Sequence, residues 1–174
     1  PEMKSTGEVM GIDYDFRGAM AKALLAGGMK FSSGGSVLLS IADKDKAEAL
    51  SLIRGLVEGG NRLYATEGTA AMVEGLGLPV TMITKKLSEG HPNVVDIIMD
   101  GTVDSVVNTA TGERTPLQDG FYIRRAAVER RIPCFTSLDT ARAAMESLTS
   151  GSGGYSVQRR SEYLSGRRDS ENGA

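Results

Sequence analysis

An α/β fold, with a parallel sheet covered by helices on both faces, is predicted by three observations. Five short apolar runs recur along the chain, and helical patterns separate them. Those runs are apolar at consecutive positions, as strands buried on both faces must be. Glycines close two of the intervening helices, at Gly59-Gly60 and at Gly101.

Each element follows in order. Residues 13–26 place Phe16, Met20 and Leu24 four apart, which predicts an amphipathic helix. "GGMKFSSGG" is linker-like. "SVLLSIA" (36–42) is the first strand. The helix after it, within 44–60, carries Ala47, Leu50, Ile53 and Val57 on one predicted face. "RLYAT" (62–66) is the second strand, 69–76 a short helix and "PVTMIT" (79–84) the third strand. Residues 92–101 form a short helix, and "DSVVNTA" (104–110) is the fourth strand. The long helix 117–131, the strand "IPCFTS" (132–137) and a helix at 138–148 complete the pattern. The stretch 149–174 is rich in Gly, Ser and Arg with little apolar content, so a disordered tail is expected there.

Composition bounds the function. The chain has 174 residues, 40% hydrophobic and 24% charged, with a net charge of −2, as one ordinary soluble domain would. Near-neutral charge argues against wholesale nucleic-acid binding. The single Cys134 excludes an internal disulfide and a cysteine-based zinc site, and its apolar setting predicts a buried thiol. No apolar run approaches the roughly 18 residues of a membrane span. A cytoplasmic protein without membrane or nucleic-acid partners is expected.

Open parallel sheets bind ligands at the carboxyl ends of their strands. Several polar groups fall at that rim. Ser40, Lys44 and Lys46 follow the first strand, and Thr66-Glu67-Gly68-Thr69 joins the second strand to its helix. Lys85-Lys86 follow the third strand, and Asn108-Thr109 end the fourth. A helix needs only one Ser or Thr as its cap, so one of the two threonine hydroxyls at the second junction is surplus to local structure. Hydroxyls, ammonium groups and a helix N-terminus together suit a phosphate. Singly, each has a plainer reading: strand-end threonine, solvated lysine, or an Asn108 that caps its own strand. His91, the only histidine, reads as loop surface.

The chain resembles the C-terminal end of the large subunit of carbamoyl phosphate synthetase. "PEMKSTGEVMG" is similar to the close of its second ATP-grasp unit. "VLLSIADKDK", "YATEGTAAMVEGLG", "KKLSEGHPNVVDIIMDG", "VVNTATGER" and "IRRAAVERRIPCFTSLDTA" follow its allosteric, methylglyoxal-synthase-like domain. The likeness covers roughly residues 1–147, and it makes the Met-less start that of a piece of a longer protein. It implies a division into 1–30, the end of the ATP-grasp unit with a linker helix, 31–148, the allosteric domain, and the tail 149–174.

The resemblance also implies a sheet of order 3-2-1-4-5 and a rim that binds nucleotide effectors, UMP as inhibitor and IMP as a weaker one. By motif, Ser40 and Lys46 match the pair after the first strand, and Thr66 and Thr69 the phosphate-binding threonines, with Gly68 between them. Lys86 matches the second cationic ligand, Asn108 the residue at the nucleotide's far end, and Thr136 a threonine at an ornithine site. One departure stands out: the family's "NTT" reads "NTA", so Ala110 supplies no hydroxyl. The implied parent is an ATP-dependent ligase using Mg or Mn, working with a glutaminase small subunit and making homo-oligomer contacts. The domain alone is expected to be non-catalytic, needing no cofactor or metal of its own. A methylglyoxal synthase needs a carboxylate base with histidine assistance. Asp43 and Asp119 stand near the corresponding places, with no histidine beside either. A purely oligomerising module with a vestigial site is the remaining alternative.

Overall fold

The computed structural model describes residues 7–85, 90–109, 119–149 and 157–171. Its elements run α1 Phe16–Ala26, β1 Ser36–Ser40, a 3-10 turn Asp43–Asp45, α2 Lys46–Glu58, β2 Arg62–Thr66 and α3 Glu67–Gly75. Then come β3 Thr81–Ile83, α4 Val94–Met99, β4 Ser105–Asn108, α5 Asp119–Arg130, β5 Cys134–Phe135, α6 Leu138–Thr149 and α7 Arg160–Glu171. All five strands are parallel and lie in the order β3-β2-β1-β4-β5, as expected.

The central strand explains why helices must cover both faces: all five residues of β1 are buried. On one face Val37, Leu39, Ala65 and Val107 pack with α2, α3 and α6. On the other, Leu38 and Val106 pack with Ile97, Ile98 and Ile123 of α4 and α5. Phe31 and Phe135 stack at 4.6 Å between ring centroids and close the first of these cores. No helix among the described residues is long and apolar enough to cross a membrane.

Local signals account for the helix starts. Asp15 caps α1 by accepting from the Gly18 N–H. Asn93 and Asp96 form a reciprocal capping box on α4. That bond, with a second from His91 Nδ1, holds the Asp96 carboxyl below its usual range. Burial pushes the Cys134 thiol up, and the residue is half-buried at the end of the sheet rather than enclosed.

Three further expectations change. Phe16 is 76% exposed, so α1 buries Leu24 and part of Met20 without the first member of its row. In α2 the buried residues are Ala49, Leu52, Ile53 and Leu56, whereas Ala47 is exposed. The tail is not disordered throughout: α7 occupies Arg160–Glu171 and its start packs on the first helix. Tyr163 lies 5.0 Å from Tyr14, ring to ring, and accepts a 2.8 Å hydrogen bond from Lys22 Nζ. The Tyr14 hydroxyl donates to Gln158 at 2.7 Å. Lys22 also pairs with Asp13 at 2.9 Å, which holds that carboxyl low. A few aromatic and amphipathic side chains suffice here, because they cover apolar surface and pair their polar ends.

Ending the chain at Leu148 is therefore expected to lower Tm by a few degrees, since about 1 kcal/mol shifts a chain of this size by roughly 2–4 °C. An unchanged melting curve would return 149–174 to the status of an undocked tail.

Candidate functional site

The rim is built where β1 and β2 end. Ser40 pairs with Asn108 in register, and Thr66 with Ile83. The carboxyl ends of β3, β2, β1 and β4 therefore lie side by side. At the exit of β1 the chain turns between two hydroxyls. Thr69 Oγ1 accepts from the Ile41 N–H at 3.1 Å, and Thr109 Oγ1 accepts from the Ala42 N–H at 2.8 Å. The Thr109 N–H donates to the Ser40 carbonyl at 3.1 Å. These bonds fix the short loop that delivers the Asp43–Asp45 turn and the start of α2.

Thr69 therefore has a structural task, contrary to the expectation of a hydroxyl surplus to local structure. Its oxygen is occupied as an acceptor, which leaves its proton to donate. Thr66 is the N-cap residue of α3, yet its side chain makes no capping hydrogen bond. Its hydroxyl lies 3.5 Å from that of Thr69, and both residues are buried. The first turn of α3 thus presents backbone N–H groups and the positive helix end without a side-chain cap.

Lys46, the first residue of α2, reaches across to this turn. A Cβ on Gly68 would stand 3.3 Å from Lys46 Nζ, so glycine is what lets the ammonium approach the backbone. Lys46 Nζ also pairs with Asp43 Oδ1 at 2.7 Å, and that ion pair holds the Asp43 carboxyl below its usual range. Lys44 is exposed. Glu67 turns toward the third strand, its Oε1 accepting from the Lys85 N–H at 3.4 Å.

The structure thus brings Ser40, Lys46, Thr66, Gly68 and Thr69 to one corner. Asn108 is 2% exposed, and its Nδ2 donates to the Gly120 carbonyl at 3.0 Å, tying β4 to the first turn of α5. Thr136 is exposed just after β5, three strands from β2 and so about 14 Å away at the usual strand spacing. Lys86 and Ala110 lie outside the described residues. Two contributors lie outside the predicted ligand set. The sequence offers Asp43 only as a carboxylate near the place of a synthase base, and Thr109 only as a polar group at the end of the fourth strand.

The family model for the MGS-like domain matches residues 48–136. The chain belongs to this MGS-like domain family. It is also 51% identical, over 158 residues, to the carbamoyl phosphate synthase large chain of Thermomicrobium roseum (strain ATCC 27502 / DSM 5159 / P-2). The match covers 91% of this chain but 15% of that relative, so the chain spans a small part of the relative's length. The MGS-like fold is shared with methylglyoxal synthase from Elizabethkingia anophelis NUHP1, at TM-score 0.52 and 17% identity, over 75% of this chain and 90% of that one. It is likewise shared with ForH, at TM-score 0.52 and 19% identity, over 78% and 93% of the two chains.

Proposed function

We propose that this chain is the regulatory effector-binding domain of a carbamoyl phosphate synthetase large subunit. In this reading it binds a nucleoside monophosphate, UMP or IMP, and so tunes carbamoyl phosphate synthesis for pyrimidine and arginine biosynthesis. The observation that carries the reading is the corner between β1 and α3. An uncapped helix N-terminus, two buried threonine hydroxyls and the Lys46 ammonium meet there around a glycine. Such a set suits a phosphate, because fixed N–H dipoles and one mobile cation complement a compact dianion. Lys86 is the second cation of the reading, Asn108 the contact at the nucleoside end, and Thr136 a contact for ornithine.

The domain itself makes and breaks no bond in this account. Its parent would use ATP and Mg or Mn, with ammonia delivered by the glutaminase subunit. The domain would act by binding two states of that enzyme unequally, a coupling typically of about 1–3 kcal/mol. Homo-oligomer contacts are compatible with this role.

Calorimetry of the chain against UMP, IMP, ornithine and N-acetylglutamate tests the proposal. UMP or IMP is expected to bind, and uridine to bind far more weakly than UMP. Lys46→Ala should weaken UMP binding roughly ten- to a hundred-fold, the loss of a hydrogen bond to a charged group. Lys44→Ala should do little. Uridine binding as tightly as UMP would remove the phosphate site.

A further inference from the structure

The Lys46 ammonium is not free at the rim. Asp43 Oδ1 holds it at 2.7 Å, and the Asp43 side chain is 94% exposed while that of Lys46 is 25% exposed. The carboxylate is thus the more solvent-exposed partner of the pair. A Cβ on Gly68 would stand 3.3 Å from the same ammonium, so the α3 turn is close by as well. The i,i+3 spacing brings the two charges within reach, and no helix cap depends on the pair. Asp43 belongs to the 3-10 turn, and the α2 N-cap residue is Asp45, which makes no side-chain cap bond either.

We propose that Asp43 is a built-in competitor for the anion site, a carboxylate that occupies Lys46 until an anionic ligand displaces it. The inference rests on the nucleotide reading above and adds what holds the affinity of that site down. Any anion that uses Lys46 must first break the Asp43 pair, and it then meets the Asp43 carboxylate as a like charge. A phosphate monoester near pH 7.5 carries close to two charges, so it is repelled more than a monoanion while it gains the N–H groups of α3. Asp43 therefore lowers the affinity of the site for anions, and it acts through Lys46.

The consequence has a sign that ordinary site residues lack: removing Asp43 should strengthen binding. An exposed i,i+3 ion pair is a weak restraint, so Asp43→Asn is expected to bind UMP about two- to five-fold more tightly. The methyl ester of UMP, a monoanion, should gain no more than UMP does, because it breaks the same ion pair and meets less like-charge repulsion. Asp45→Asn is the control, since Asp45 makes no ion pair among the described residues and its loss changes only the general field. It should move both affinities by less than Asp43→Asn does.

The test is titration of wild type, Asp43→Asn and Asp45→Asn with UMP and its methyl ester at low salt and pH 7.5. Tighter binding by Asp43→Asn than by Asp45→Asn, with UMP gaining at least as much as its methyl ester, supports the competitor role. Unchanged or weaker binding by Asp43→Asn, where wild type binds UMP, overturns it and makes Asp43 a mere support for Lys46. Equal gains in the two variants also overturn it, because the effect is then bulk charge. If wild type binds neither ligand, the nucleotide reading fails and the competitor role with it.

Discussion

Replacing Thr69 by alanine is expected to weaken UMP binding roughly ten- to a hundred-fold and to lower Tm in the same stroke. The affinity loss follows from removing a hydroxyl donor to a charged group, worth about 1.5–3 kcal/mol. The stability loss has a separate cause. Thr69 Oγ1 accepts the Ile41 N–H at 3.1 Å, and both residues are buried. Alanine leaves that N–H without its partner, at a cost of about 1–3 kcal/mol. Thr69→Ser keeps the hydroxyl and should recover most of both effects. Thr66→Ala separates them, because the Thr66 side chain makes no capping bond in α3. It should lower affinity with little change in Tm. Calorimetry and thermal melting of the three variants check this. Wild-type affinity in Thr69→Ala would remove the hydroxyl from the site and leave it only the task of pinning the β1 exit.

Strand order and rim position were legible because they depend on patterns that few alternatives share. Buried apolar runs such as "SVLLS" have no amphipathic reading, and the motif likeness supplied the order that β1 in the centre then displays. The corner itself was legible as residue types at strand ends. Which hydroxyl bonds to what was not, because Thr69 reaches the Ile41 N–H across 28 residues of sequence. Asn108 shows the same limit. An amide suited to reading a ligand is, in the fold, a donor to the Gly120 carbonyl. The tail misled for a further reason. Composition counts apolar residues, whereas α7 docks through Tyr163, whose ring packs on Tyr14 while its hydroxyl takes a lysine proton.

Leu52→Ala is expected to cost about 2–5 kcal/mol, the range for emptying a packed leucine site, while Leu50→Ala costs under about 1 kcal/mol. At roughly 2–4 °C per kcal/mol, Leu52→Ala should lower Tm by at least about 4 °C. The pair decides between two faces of α2. The sequence offers 47, 50, 53 and 57 as one stripe, and the structure buries 49, 52, 53 and 56 instead. Both stripes fit a helical period, and they differ by about a quarter-turn with Ile53 on their shared edge. The choice is made by what the helix meets. Leu52 is 0% exposed in the core built on Leu39, Ala65 and Val73. This seating also bears on the rim. Lys46 lies seven residues, nearly two whole turns, before Ile53, so it emerges on the edge of α2 that borders the buried face. From that edge its stem is largely covered and its ammonium reaches Gly68. Equal losses of Tm in Leu50→Ala and Leu52→Ala would mean that α2 is turned from this seating, and Lys46 would then be carried away from the corner it helps to form.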